Sequence, residues 1–360
     1  MSNNILFVLK HFSKSGGVEK VSLNLAYQFK KEGHKVSFFI MDGEGIPDQL
    51  LKDFSVFLGK SSGLKSILLL VPRLIKWIKE GQYTAVIAAK EQANLLTYIA
   101  SICYRSFTPI YTRHCAFDVS DQELSVKNIK RLYGLYGKGK GKIVAVSEDL
   151  ASYIKGNIPS ISKQVYFCPN PVINQELINK ATINTDGFNH SNQYFCAVGR
   201  LCEQKGYDLL LNSYAQALKT KENLPDLVIV GDGELEAELK LLADKLSIAE
   251  KVKFNGFTTN PYYIIKNSEM FLLSSRHEGL PTVLIEALAL KKKVVAFDCP
   301  TGPREILKDG LYGSLVEDQN ITLFARAIID TFESDLTVPD KAIESYTYSK
   351  STASYRSLMD

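Results

Sequence analysis

The 360-residue chain has one tryptophan, five histidines and no long hydrophobic run. Ile67–Val71 is as long as any apolar stretch in it, far short of the ~20 residues a membrane-spanning helix needs. The six cysteines (Cys103, Cys115, Cys168, Cys196, Cys202 and Cys299) include no Cys-x2-Cys pair, which argues against a zinc ribbon. They read as reduced thiols of a cytosolic protein. No Asp-x-Asp occurs, so no carboxylate pair stands ready to hold a metal-bound diphosphate; neither a metal nor another cofactor is expected. Gly231-Asp232-Gly233 misses the dinucleotide fingerprint, because Glu236 stands where its third glycine belongs. The N-terminal Asn4–Leu9 lacks the length and the small-residue cleavage site of a secretory signal. It reads as a buried first strand, and the protein is expected in the cytoplasm.

What is present is a globular composition, 45% apolar and 23% charged, over a length that favours two domains. Apolar runs of strand length alternate with helical spacing: Ile5–Leu9, the helix Val18–Lys31, Lys35–Ile40, then Ala85–Ala89, Ile110–Thr112 and Ile143–Val146. Strands of this kind between helices belong to a parallel sheet covered on both faces. The polar stretch 169–190 reads as a linker, placing a boundary near residue 180. The pattern restarts with Tyr194–Val198, Leu227–Val230, Lys251–Asn255, Met270–Leu273 and Lys293–Phe297. The expected domains are 1–180 and 181–341, with a helical tail 342–360 free to cross back to the first domain.

Charge is uneven. Residues 1–180 hold 24 Lys and Arg against 14 Asp and Glu, and residues 181–360 hold 19 against 25. A basic front half suits an anionic partner. Two stretches carry it. Leu64–Lys79 mixes Lys65, Arg73, Lys76 and Lys79 with an apolar face, and Pro72 is expected to start or kink that helix. Lys127–Lys142 carries six cations with Tyr133 and Tyr136. An anionic membrane surface or a lipid-linked acceptor explains both; so does a solvated face on an ordinary core helix. No nucleic-acid motif accompanies the charge, and no nucleic-acid partner is expected.

Three clusters carry chemistry. Gly16-Gly17 sits between a strand and a helix, where backbone N–H groups and the helix dipole attract anions, although a plain tight turn looks the same. Gly199-Arg200 and Lys205 follow a strand end: Arg200 offers two parallel hydrogen bonds to phosphate and Lys205 a point charge. Solvated surface cations are the bland alternative. The third cluster runs from Ser274 to Ala287. After Glu278, Gly279-Leu280-Pro281 breaks the chain and a helix begins near Thr282, with amides of residues 280–283, Val283 included, turned toward an anion. A carboxylate accepts two bonds from a vicinal diol, so Glu278 in the loop and Glu286 on the helix suit a site that holds a sugar and a ribose; an exposed helix residue is the bland reading of Glu286, set against its apolar neighbours Val283, Leu284, Ala287 and Leu288. His114, after another strand end, is either a loop histidine or a contact to the reacting sugar. Ser147 reads as a helix N-cap.

Taken in order, Gly16-Gly17-Val18-Glu19, Val144-Ala145-Val146-Ser147, Asn170-Pro171-Val172, Gly199-Arg200-Leu201 with Lys205-Gly206, Gly231-Asp232-Gly233-Glu234 and the Glu278/Glu286 pair resemble glycosyltransferase family four. The segment Asp298–Leu307 looks like bacterial members that build lipopolysaccharide, capsule or lipid-linked oligosaccharide. The resemblance implies an α/β fold of two Rossmann-like βαβ domains facing a central cleft (the GT-B fold), with the acceptor side first and the nucleotide side second. It implies a retaining transfer of a hexose or N-acetylhexosamine from a nucleotide-sugar, a UDP-sugar in this reading, to a growing surface glycan. It assigns Arg200 and Lys205 to the diphosphate, Glu286 to the ribose, and Glu278 and His114 to the donor sugar. Gly17 lets the first-domain loop approach the phosphates. An epimerase or phosphorylase on the same fold, or an inactive sugar- or lipid-binding scaffold, are the rival readings.

Overall fold

The computed structural model describes residues 3–12, 17–60, 64–115, 117, 124–184 and 187–359, without the side chains of 64–66. It divides into two compact units, Met1–Pro171 with Tyr348–Asp360, and Val172–Thr347.

The first unit is a parallel sheet of seven strands: β1 (Asn4–Leu9), β2 (Lys35–Ile40), β3 (Ser55–Leu58), β4 (Ala85–Ala89), β5 (Thr108–Arg113), β6 (Lys142–Ala145) and β7 (Val165–Phe167). Their order is β3-β2-β1-β4-β5-β6-β7. The central strands are buried on both faces, which is why they read as unbroken apolar runs. One face packs on the helix Gly17–Lys31, whose Val21, Leu25 and Phe29 point inward at i, i+4 spacing. The helix Tyr348–Arg356 returns to that same face, where Tyr355, Leu358 and Met359 join its core. The other face packs on the helices Leu64–Gly81 and Glu91–Cys103.

Pro72 neither starts nor ends the helix Leu64–Gly81 but sits inside it. Both Pro72 and Leu68, whose carbonyl loses its donor, are solvent-exposed, so the proline lies on the face of the helix turned away from the core. Ser147 caps the helix Glu148–Asn157, its Oγ accepting from the amide of Leu150 at 3.1 Å. Among the described residues no helix is long and apolar enough to cross a membrane.

The second unit has six parallel strands: β8 (Tyr194–Val198), β9 (Asp226–Val230), β10 (Val252–Gly256), β11 (Met270–Leu273), β12 (Lys293–Phe297) and β13 (Ser314–Val316), ordered β10-β9-β8-β11-β12-β13. In both units the chain winds outward from a central pair: β1 and β4 in the first, β8 and β11 in the second. In such sheets ligands bind outside the carboxyl ends of the strands, where the winding reverses.

Candidate active site

The second unit's reversal point is where the sequence-derived cations and acids meet. Arg200 follows β8, and Glu278 follows β11. The two loops are laced together: Arg276 N donates to Gln204 O at 2.8 Å, Gln204 Nε2 to His277 O at 3.0 Å, and Ser274 Oγ to Lys205 O at 2.9 Å. Gly206 makes the approach possible. Its φ is +60°, and a Cβ there would collide with the carbonyl of Ser274.

Lys205 Nζ reaches Glu278 Oε1 at 2.6 Å, and Ser275 Oγ donates to the same oxygen at 2.7 Å. The Glu278 side chain is only 7% exposed, so this is a desolvated pair. Thr301, in the loop after β12, donates to the Glu278 carbonyl. Arg200 is exposed, and its guanidinium has no hydrogen-bond or ion-pair partner among the described residues. It is a charge without a counter-charge beside a glycine-lined turn. The next cation, Arg276, is consumed structurally by Asp208 at 2.8 and 2.6 Å. Burial works to raise the Asp208 pKa, and the Arg276 contacts outweigh it, leaving the group lowered and ionised.

The helix Thr282–Ala289 starts three residues after Gly279. Pro281 stands at its N-cap position and carries no N–H, so it cannot join the amide donors expected of residues 280–283. Within the helix the free donors are the amides of Thr282 and Val283; Leu284 N is already bonded to Pro281 O at 3.0 Å, and Leu280 is buried. Glu286 is buried one turn into the helix and accepts from Tyr262 Oη at 3.4 Å, a partner no sequence spacing suggested.

In the first unit, Gly16 lies outside the described residues, and Gly17 is the first residue of its helix. His114 follows β5. Thr112 Oγ1 donates its one hydrogen to Ala88 O at 3.0 Å, so its 3.0 Å contact with His114 Nε2 has the imidazole as donor. That fixes the Nε2–H tautomer and leaves Nδ1 as the acceptor. Burial, with Lys90 and Arg113 adding to it, pushes the His114 pKa down to about 3. His114 is therefore neutral at physiological pH. The sign of its linkage follows: the unfolded histidine binds a proton near pH 6.5 and the folded one does not, so its contribution to stability holds above pH 6.5 and drains away as pH falls toward 3. A His114→Asn variant is expected to lose less thermal stability than the parent between pH 6.5 and 4.5. Parallel melting-temperature curves for the two proteins would rule this out.

Sequence spacing missed Lys90, the residue after β4. It sits at φ +72° and reaches the buried Glu19 at 2.5 Å, while His11, after β1, lies 3.8 Å from the same oxygen. Arg113 pairs with Glu91 beside them. The available signal was an acid on the buried stripe of the helix Gly17–Lys31.

Residues 15–175 match the profile of Glycosyltransferase Family 4, and residues 179–349 that of Glycosyl transferases group 1. An uncharacterized glycosyltransferase of Methanocaldococcus jannaschii is 31% identical over 65% of this chain; the match spans 60% of that protein's length. An uncharacterized glycosyltransferase of Haemophilus influenzae is 27% identical over 93% of each chain. The amylovoran biosynthesis glycosyltransferase of Erwinia amylovora is 26% identical over 92% of this chain and 90% of its own. Among solved structures, a glycosyltransferase from Rickettsia africae superposes with a TM-score of 0.83 at 18% identity, covering 100% of this chain and 98% of its own. Anabaena HepE in complex with UDP and glucose gives 0.80 at 19%, over 99% and 98%. The two profiles between them span nearly the whole chain, and the protein belongs to the family-4 glycosyltransferases, enzymes built on two Rossmann-like α/β domains.

Proposed function

We propose that the protein is a retaining transferase that moves a hexose or N-acetylhexosamine from a UDP-sugar to a hydroxyl of a bacterial surface glycan. That glycan is a lipopolysaccharide, a capsule or a lipid-linked oligosaccharide. The observation that carries the reading is the cluster at the β8/β11 reversal point: an Arg200 with no partner among the described residues beside a Lys205 tied to a buried Glu278. The UDP and glucose held by HepE and the amylovoran assignment of the Erwinia relative support the donor and the acceptor class.

In this reading Arg200, Lys205 and the Thr282 and Val283 amides receive the charge that develops as the anomeric C–O bond breaks. Gly199 and Gly279 keep side chains out of the diphosphate's path. Lys205 exchanges part of its contact with Glu278 for the β-phosphate, and Glu278 turns toward a sugar diol. Glu286 holds the ribose. His114, neutral and with Nδ1 open, accepts from a donor-sugar hydroxyl. The acceptor oxygen bonds to the anomeric carbon on the face the diphosphate leaves, and its proton passes to a phosphate oxygen. No side chain serves as nucleophile, and no metal is assigned. A nucleotide-sugar donor places the reaction at the cytoplasmic side, with the basic first unit toward the inner face of the plasma membrane.

The test starts with thermal shifts against UDP-, GDP- and ADP-linked sugars, since a donor at 100 times its Kd stabilises by about 2.7 kcal/mol. UDP release is then followed with and without acceptor, and the product's anomeric configuration is read by NMR. UDP-sugars should shift the transition, release should rise with acceptor, and the donor's configuration should persist. An inverted linkage, or release indifferent to acceptor, would discard the mechanism.

A further inference from the structure

The amino ends of β5 and β6 lie at the edge of the first sheet opposite His11, Lys90 and His114. There the helices Glu91–Cys103 and Val126–Tyr136 part to leave a cavity of about 370 Å³. Its wall is aromatic: Tyr111 stacks on Tyr136 at 4.6 Å between ring centroids, and Tyr98 tilts against Tyr136 at 5.1 Å. Gly141 closes one side, and a Cβ there would strike both the Tyr136 carbonyl and the Tyr111 ring. The volume falls within the range of small-molecule sites.

Two features set this cavity apart from a packing gap. Arg105, Lys138 and Lys140 line it, no acid does, and none of the three cations has a side-chain partner among the described residues. Elsewhere in the unit, cations at functional edges are neutralised: Lys90 by Glu19, Arg113 by Glu91. In addition, the hydroxyl of the buried Tyr136 has no hydrogen-bond partner among the described residues, so a polar group of a ligand in the cavity would satisfy it. The exposed side chains of Ile102 and Leu135 stand at the same cavity, so a ligand leaving it crosses apolar surface.

We propose that this cavity binds the phosphate-bearing headgroup of an amphiphile, the three cations taking the phosphate and the tyrosines the neutral part of the headgroup. A lone Lys or Arg beside an anionic surface attracts it diffusely; three around one cavity fix a phosphate in place. The site is separate from the sugar-transfer machinery and does not depend on the donor assigned above.

The experiment measures binding without turnover. The full chain is floated with phosphatidylcholine vesicles with and without 30 mol% phosphatidylglycerol, and separately titrated with glycerol phosphate. The Arg105→Ala, Lys138→Ala, Lys140→Ala triple variant should bind the anionic vesicles on the order of a hundredfold more weakly. Ser101→Phe fills the cavity with every cation retained. Gly139→Phe does so from a position where an added Cβ meets nothing within 4 Å, so one blocked variant should fold even if the other does not. Circular dichroism and thermal unfolding confirm which are native. Either blocked variant should lose at least tenfold in vesicle affinity. Binding of vesicles alone assigns a lipid headgroup, and binding of glycerol phosphate as well assigns a free phosphate ester; both support the site. Blocked variants that bind like the parent overturn it, since the charge then acts without the cavity, as does a parent that binds neither probe.

Discussion

Arg200→Ala is expected to reduce kcat by about 10²–10³ while leaving the melting transition where it is. The magnitude is that of removing one fixed donor aimed at developing charge. The unchanged stability follows from the side chain's exposure and from its having no partner among the described residues. Lysine is not expected to rescue it, because a point charge cannot reproduce the two-pronged contact to phosphate. Lys205→Ala should lose turnover to a similar degree but behave differently in unfolding. It strands Glu278, 7% exposed, with Ser275 as the remaining donor to its paired oxygen. Breaking a buried pair from one side costs about 3–5 kcal/mol. The double variant Lys205→Ala, Glu278→Ala should recover much of that stability and none of the turnover. Measured kcat and denaturant midpoints for the four proteins decide the matter. An Arg200→Ala enzyme working within threefold of the parent would remove the diphosphate from Arg200's charge.

The parts of the fold that the sequence made legible are those buried on both sides. β1, β4, β8 and β11 lie in the middle of their sheets, so hydrophobicity runs unbroken along them. β3, β7 and β13 went unread because each is an edge strand of three or four residues, half in solvent. The helix Gln175–Lys180 hid in a stretch that looked like a linker; its signal was Asn174, whose Oδ1 accepts from Leu177 N at 2.9 Å. The second unit's cluster was readable because glycine, cation and acid each follow a strand by a few residues. Lys90 was not, because its meeting with Glu19 depends on β4 lying beside β1, a fact of strand order that no local spacing carries.

The largest effect on folding is expected at Gly231. It follows β9 directly with φ +139°, donates to Gly256 O at 2.9 Å, and faces the end of β8, where Gly199 N bonds Val230 O at 2.9 Å. An added Cβ would overlap the carbonyl of Gly199 itself. Alanine there meets both a disfavoured backbone conformation and a clash with backbone, which cannot rotate aside as a side chain can. Gly231→Ala should cost about 3 kcal/mol or more. At roughly 2–4 °C per kcal/mol for a unit of this size, the melting temperature should fall by about 10 °C. The relief open to the chain is to push the β8 loop outward, and that loop begins with Gly199-Arg200. A misplacement of about 1 Å costs on the order of 10² in rate, so the protein that remains folded below its new transition should also turn over slowly. Gly17→Ala supplies the contrast: an added Cβ meets no described atom within 4 Å, so the fold should survive and any lost turnover belongs to the site. A Gly231→Ala protein with the parent's melting temperature and kcat would show that the β8 and β9 loop ends do not touch as described and that the second sheet does not itself aim Arg200.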